Sequence, residues 1–556
     1  MDKIWLSSYE SNIPAEAKVD RFASLVEMFD ESVRKFADRP SFHNLGRTLS
    51  FAELDRLSRA FAGFLQQRGL APGERIALML PNLLQYPVAL FGALRAGLVV
   101  VNTNPQYTAR ELKHQLTDSG ATAVVVLANF AHVLQQVLAE SSVRTVIVTE
   151  VGDLLPQPRR SVVNFVIRRL RHMVPSFHIK GAIGFREALE QGRKGELRGP
   201  ALKSTDLAFL QYTGGTTGVP KGAMLSHGNL VANLEQVSAF WSGIIDEGRD
   251  VVITPLPMYH IFCLTCNCLT FMKHGGLNVL ITNPRDLPAT LAEMRKWQFS
   301  IITGVNTLYR GMLDHPSFGN LDFSRLKLGV AGGMPLHPEV ARRWRERTGR
   351  PLLEGYGLTE ASPVVSCNAP HSEFDGTIGT PIPSTEISIR EEDRELGIGE
   401  RGELCVRGPQ VMVGYWQRPA DTAKTLSADG WLRTGDVAVI DEKGRLRIVD
   451  RIKDMIIVSG FKVFPNEIDG VLEAHPDIAE GAAIGVPDER TGQAVKVFVV
   501  PRAGSQLTAD QVIEYCKQNL VPYKVPKYVE FRDSLPKSNI GKVLRRSLVT
   551  ETRAAA

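Results

Sequence analysis

Residues 96–127, AGLVVVNTNPQYTARELKHQLTDSGATAVVVL, read as strand, helix, strand. The runs AGLVVVN and ATAVVVL are short, apolar and rich in valine, the texture of strands covered on both faces. Between them, TARELKHQLTDSG has helical spacing and stops on Gly120. Glycine takes the left-handed conformation that closes many helices.

The same alternation extends outward. RIALML and VRTVIVT read as further buried strands, and LSFAELDRLSRAFAGFLQQRGL has helical spacing. It resumes at DVVITPLP, LNVLIT, FSIITGV and LKLGVAGG. Strands alternating with helices predict an α/β fold with largely parallel sheets. No internal repeat is visible.

The 556 residues exceed what one core holds, so two or more domains are expected. Hydrophobic residues make up 44% and charged residues 22%, the balance of an ordinary globular protein. A formal net charge of +5 is small for this length and gives nucleic-acid binding no support. The start, MDKIWLSSYESNIPAEAKVD, lacks the apolar centre of a secretory signal. The most apolar run, YPVALFGALRAGLVVV, is interrupted by Arg95, so no membrane span is expected. Six scattered cysteines fit a reducing compartment, and a cytoplasmic protein is expected.

Cys263, Cys266 and Cys268, with His260 and His274 nearby, invite a metal reading. The second paired arm of a zinc site is absent, and the flanking HIFCLTCNCLTFM is apolar and helix-like. Cysteine in such a setting acts as a small hydrophobe, and that reading is preferred.

Near Pro381 the texture changes to alternating strands joined by glycine-containing turns, TEISIREEDRELGIGERGELCVRG and DVAVIDEKGRLRIVDR. The second hairpin turns at residues 441–444. After DRIKDMI comes another α/β stretch, in which Thr508 and Gln511 form a capping box. The expected division is a large domain at 1–449, a hinge at 450–453 and a small domain at 454–556. The joint is short and charged, which suits a hinge more than a tether.

Residues 159–180, RRSVVNFVIRRLRHMVPSFHIK, hold six Lys/Arg and no acid. Two readings stand: a solvated surface insertion, or contact with an anionic membrane on the inner face. The first is the more economical, because a basic amphipathic stretch alone is a weak membrane signal.

Residues 212–225, YTGGTTGVPKGAML, have the elements of a polyphosphate cradle. Gly214, Gly215 and Gly218 let backbone N–H groups approach anionic oxygens. Thr213, Thr216 and Thr217 add hydroxyls, and Lys221 adds a point charge. The Walker spacing is missing, because Lys221 follows Pro220 and precedes Gly222. A glycine-rich turn joining two strands is the plainer alternative.

Four further motifs follow in order: YGLTE (356–360), TGD (434–436), DRIKDMI (450–456) and PKSNIGKVLR (536–545). With the loop, this set resembles the adenylate-forming enzymes, a superfamily of acyl-CoA synthetases, peptide-synthetase adenylation domains and firefly-type luciferases. The resemblance covers nearly the whole chain. DGWLRTGDVAVIDEKGRLRIVDRIKDMI is similar to the fatty acyl-CoA synthetases. PLPMYHIFCLT, NCLTFMKHGGLNVLITNPRD and NTNPQYTARELKHQL look like the bacterial long-chain enzymes.

The resemblance implies a large domain of αβ-layered sheets plus a distorted β-barrel, and a small mobile α+β domain. It implies that a fatty acid and Mg·ATP give an acyl-adenylate and pyrophosphate, and that coenzyme A then displaces AMP. Acyl-CoA would feed fatty acid degradation and lipid metabolism. Mg²⁺ is the implied cofactor. Fatty acid, ATP and coenzyme A are the implied partners, and oligomeric state stays open, a homodimer included.

Carried onto this sequence, the loop and Lys221 would hold the β- and γ-phosphates. Glu360 would hold Mg²⁺, with Thr213 a weaker candidate, and Thr359 would donate to the α-phosphate. Tyr356 and Gly357 would meet adenine, with Gly332 and Gly333 letting backbone approach the base or acyl chain. Asp436 would accept the ribose hydroxyls and Arg451 would contact ribose or phosphate. Lys542 would be the catalytic cation of the first step and Lys453 the hinge. Gly460 would admit pantetheine, Lys462 would meet coenzyme A phosphates, and His260 would line the acyl or thiol tunnel or simply fill the core.

Competing readings are a medium-chain or aryl acid:CoA ligase with the same motifs, and a non-catalytic acyl- or nucleotide-binding homologue. The latter would be expected to lose Lys542 or Glu360, and both are present. Chain-length preference depends on tunnel depth, which distant segments set together.

Overall fold

The strand–helix–strand unit forms as its sequence predicts. Strands Val99–Asn102 and Ala123–Leu127 flank the helix Ala109–Ser119. Thr108 and Glu111 build a capping box at the helix start, and Gly120 closes it with φ of 60°. A cap of this kind is worth about 1 kcal/mol. The two strands are parallel but not adjacent, because Arg75–Met79 pairs with both.

The computed structural model describes residues 3–195, 197–213, 220–538 and 541–555. Val99–Asn102, Arg75–Met79, Ala123–Leu127 and Thr145–Thr149 are central to an eight-stranded sheet. Its strands run parallel from Leu207–Tyr212 to Ile183–Gly184. Antiparallel Gly222–Ser226 and Gly414–Tyr415 complete the other edge.

A nine-stranded sheet takes Val251–Thr254, Leu277–Leu280, Ile301–Gly304 and Leu328–Gly332, the four later strand readings. These too are parallel, and Leu352–Gly357 extends the run. Parallel strands need helical crossovers that cover both faces, which explains their unbroken apolar character. Between the sheets, Phe29 stacks on Phe91 with centroids 4.0 Å apart, inside the largest hydrophobic core.

Five strands between Glu386 and Arg451 form an antiparallel sheet, including the expected hairpin of Leu432–Ile440 with Leu446–Arg451. Gly444, with φ of 74°, makes its turn. The sheet runs from Arg394–Glu395 to Leu446–Arg451, and no ladder closes these edges into a barrel among the described residues.

The fourth sheet is built only from strands between Ile456 and Phe531. It has its own core of Ile456, Ile468, Leu472, Val497 and Val512. Thr508 and Gln511 cap the helix Ala509–Asn519 as expected. A short turn, Ile452–Asp454, joins this unit to the strand Leu446–Arg451.

The helix around the cysteine cluster widens over Leu264–Leu269, and Cys263, Cys266 and Cys268 are all buried in it. Cys263 donates to the Leu256 carbonyl at 2.9 Å. The basic segment is a helix, Arg159–Phe165, continued by a wider turn over Val166–Leu170. Among the described residues no helix is long and apolar enough to cross a membrane.

Candidate active site

The phosphate-loop stretch joins the strands Leu207–Tyr212 and Gly222–Ser226. Tyr212 pairs with Gly222, and the Thr213 amide donates to the Lys221 carbonyl at 3.0 Å, so the loop closes at its neck. Gly214, Gly215, Thr216, Thr217 and Gly218 lie outside the described residues. Lys221 pairs with Asp421 at 3.1 Å, and its ammonium lies 5.2 Å from the centre of the Tyr415 ring.

YGLTE occupies the end of the strand Leu352–Gly357 and the turn Thr359–Ala361. Only glycine fits at 357, because a Cβ there would come within 2.2 Å of the Pro363 carbonyl oxygen. The turn that follows presents Thr359 and Glu360 to the cavity. The Glu360 carboxylate accepts from the Tyr415 hydroxyl at 2.7 Å.

TGD sits at the start of the strand Leu432–Ile440, where Gly435 has φ of 70°. Its amide donates to the Glu403 carboxylate at 3.0 Å, and Thr434 caps the Asp436 amide. Asp436 lies opposite Arg451 in the ladder, and the guanidinium reaches its carboxylate at 2.8 Å. The Arg451 guanidinium therefore pairs across the hairpin, while its backbone amide donates to the neighbouring Asp450 carboxylate at 2.7 Å. The other Asp436 oxygen accepts from the Tyr356 hydroxyl at 2.6 Å. Asp436 is only 3% exposed and sits behind the wall that Tyr356 and Arg451 present to the cavity.

Lys542 comes from the other unit, more than a hundred residues beyond Asp436 in sequence. Its loop folds on Ser538, whose hydroxyl accepts from the Lys542 amide at 3.1 Å. Gly541 packs tightly on the large unit, since a Cβ there would stand 2.7 Å from the Thr307 hydroxyl. Burial, reinforced by the nearby Arg451 charge, pushes the Lys542 ammonium down to about 8.

Thr213, Lys221, Gly332, Gly333, Tyr356, Gly357, Thr359, Glu360, Arg451, Lys453 and Lys542 all line one cavity of about 1030 Å³. Its apolar wall includes Val237, Phe240, Trp241, Cys266, Val330 and Ile382. His260 also lines it and caps the helix Ile261–Cys263, its Nδ1 accepting from the Phe262 amide at 3.3 Å. Burial lowers this imidazole to about 4, so it is neutral near pH 7.

Gly460 and Lys462 lie elsewhere, on the hairpin Ile456–Val458 with Phe461–Val463. Gly460 turns it with φ of 84°, and Lys462 is 3.8 Å from Glu391 on the surface. Tyr415, Asp421 and Glu403 touch the site residues but escaped the sequence reading. Each acts through a partner distant in the chain, so no local spacing marks them.

The chain resembles proteins of known activity along its whole length. The long-chain-fatty-acid–CoA ligase of Escherichia coli O157:H7 is 54% identical over 556 residues, covering 100% of this chain and 99% of that one. The enzyme of the same description from Bacillus subtilis (strain 168) is 37% identical, covering 99% and 98%. Among solved structures, ATP-bound MatB from Rhodopseudomonas palustris matches with a TM-score of 0.80 at 28% identity, covering 95% and 98%. Residues 29–416 match the model of the AMP-binding enzymes, and residues 467–542 match that of the AMP-binding enzyme C-terminal domain. The chain belongs to the family of AMP-binding enzymes.

Proposed function

We propose that this enzyme activates long-chain fatty acids to acyl-CoA through an acyl-adenylate. The observation that carries the reading is one cavity lined both by the charged Lys221, Glu360 and Lys542 and by the apolar Val237, Phe240 and Val330. The full-length likeness to long-chain-fatty-acid–CoA ligases supports the substrate class.

A fatty acid is ionised at neutral pH, so the first step needs no general base. Its carboxylate oxygen attacks the α-phosphorus, the bond to the β-phosphate breaks, and pyrophosphate leaves. The obstacle is anion meeting anion, which positioned cations and donors lower. Lys221 and the loop grip the leaving pyrophosphate. Thr359 donates to the α-phosphate, and Lys542 offsets charge where the acyl–phosphate bond forms. Tyr356 stacks on adenine and Arg451 meets the ribose at the cavity wall, while Asp436 behind them would accept ribose hydroxyls only on lone pairs that Tyr356 and Arg451 leave free.

A lone Glu360 carboxylate fits Mg²⁺, which is commonly held by one or two carboxylates together with substrate phosphates and water. Among the described residues there is no cluster of three or more His, Cys, Asp or Glu to suggest another type of metal site. Held by Glu360 and the phosphates, Mg²⁺ would neutralise the triphosphate.

The second step needs a route for the coenzyme A thiol, and we infer that the docked Lys542 stands in it. A turn about 450–453 would exchange that lysine for the hairpin bearing Gly460 and Lys462. Phe461 is 55% exposed and Ile457 39% exposed on this hairpin. Leaving such side chains about half in water forgoes roughly half of the ~1.5–3 kcal/mol that full burial of each would give. That cost is understandable if the hairpin has a second position to fill.

The test is AMP release with coenzyme A across acids from C4 to C18 and several aryl acids. Turnover favouring the longest chains supports the reading. Turnover confined to medium-chain or aryl acids would replace it with the competing ligase.

A second property rests on the segment 159–173. Val162, Phe165, Leu170 and Met173 are each 56–63% exposed on one surface element. Arg159 donates to the Leu45 and Gly46 carbonyls and Arg168 pairs with Glu150, which leaves Arg169 and Arg171 facing solvent. Exposed apolar side chains among arginines suit the surface of an anionic bilayer, from which the fatty acid would come. Flotation with anionic vesicles should weaken when Phe165 and Leu170 become serine. Equal flotation of parent and variant would leave the solvated-insertion reading in place.

A further inference from the structure

Lys221 and Glu360 stand on different elements, 139 positions apart, yet one side chain touches both. Tyr415 donates its hydroxyl to Glu360 Oε1 at 2.7 Å. The face of the same ring lies 5.2 Å from the Lys221 ammonium. Tyr415 is 8% exposed and is stitched in place by strand pairing, opposite Ala223, two residues after Lys221. The Trp416 amide donates to the Gly222 carbonyl at 2.8 Å, and the Met412 amide donates to the Glu360 carbonyl at 2.8 Å. Residues 412–416 thus bind the backbone of Glu360 and of Gly222, the residue after Lys221, while Tyr415 touches the side chains of both Glu360 and Lys221.

The segment also fixes the resting counter-ion of Lys221. The Tyr415 amide donates to the Thr422 hydroxyl at 2.9 Å, on the helix Pro419–Thr425 that carries Asp421. Asp421 holds Lys221 at 3.1 Å. Both are about one-third exposed, so the pair is weak and readily exchanged for a stronger anion.

We propose that Tyr415 is a positioning residue for the activation step, holding the Glu360 carboxylate and the Lys221 ammonium in register before nucleotide arrives. The hydroxyl ties down one oxygen of Glu360 and leaves the other for a metal ion. A hydrogen bond of this kind orients a ligating carboxylate. The ring cradles Lys221 while the triphosphate replaces Asp421 as its partner. This inference rests on the roles given above to Glu360 and Lys221.

The test uses Tyr415→Phe, Tyr415→Leu and Glu360→Gln in the full-length enzyme, each checked for an intact thermal transition. Calorimetry follows binding of α,β-methylene-ATP with and without Mg²⁺, so no turnover is needed. Tyr415→Phe should weaken the Mg²⁺-dependent part of binding about tenfold and leave metal-free binding unchanged. Tyr415→Leu should in addition weaken metal-free binding about threefold, through loss of the ring under Lys221. If Glu360→Gln loses the Mg²⁺ dependence while Tyr415→Phe keeps that of the parent, the Tyr415 inference fails alone. If Glu360→Gln also keeps it, the metal role of Glu360 fails first and the inference falls with it.

Discussion

The Tyr356 hydroxyl and the Asp436 carboxylate meet at 2.6 Å, across 80 positions of sequence. With Arg451 on the other oxygen, this buried acid has a donor on each side. A pair of ribose hydroxyls must use the remaining lone pairs or displace a donor. Tyr356→Phe keeps the ring and should change the KM for ATP by less than about threefold, since the lost hydrogen bond runs to the Asp436 carboxylate and not to the nucleotide; being charge-assisted, it should instead cost about 1.5–3 kcal/mol of stability. Tyr356→Ala loses the stacking surface and should raise it about tenfold. Asp436→Ala strands Arg451 and should cost about 3 kcal/mol in chemical denaturation.

Lys542 predicts a pH signature. Its folded pKa of about 8 lies below the usual lysine value, so the cation is lost as pH rises through 8. The kcat/KM for ATP in adenylate formation, which reports the free enzyme, should fall across that range. Lys542→Arg should remove this limb, and Lys542→Ala should abolish adenylate formation. Thioester formation from supplied acyl-AMP should survive in both. Equal loss of both half-reactions would defeat the assignment and the rotation with it.

Arg310 tests the docked arrangement. Its guanidinium, on the helix Asn306–Asp314, donates to the Ala479 carbonyl of the small unit at 3.1 Å. Arg310→Ala removes a charged hydrogen bond across the joint. Adenylate formation should slow by about tenfold, the equivalent of ~1.4 kcal/mol. The thioester half-reaction should hold its rate or quicken, as stopped assays on each half would reveal.

Glu354 predicts a stability profile. Burial raises this carboxyl to about 8, so it is neutral in the folded protein near pH 7. The folded state then binds the extra proton between the ordinary glutamate value and 8. The stability linked to this group is therefore full below about 4.5 and declines as pH rises through 8. Glu354→Gln should flatten that decline in thermal melts taken from pH 5 to 9. A parallel decline in parent and variant would assign it to other groups.

Much of the architecture was legible because it is local. Valine-rich strands, the Gly120 stop, the Thr508 cap and the turn at 441–444 each depend on residues a few positions apart. Even the Asp436–Arg451 pair follows from the hairpin. Its register was not countable from the turn alone, because a bulge shifts the ladder between Val437 and Ala438.

The sequence by itself determined the α/β alternation, the change of texture near Pro381 and the motif residues that carry charge. It did so because backbone preferences and spacing act over one turn of helix or one hairpin. Only the tertiary structure decided who meets whom. Tyr415 reaches Glu360 across 55 positions, and Arg310 reaches Ala479 across 169. Such contacts depend on sheet order and on the docking of two separate cores. The cavity that gathers Lys221, Glu360 and Lys542 exists because those packed bodies hold three distant loops at one point.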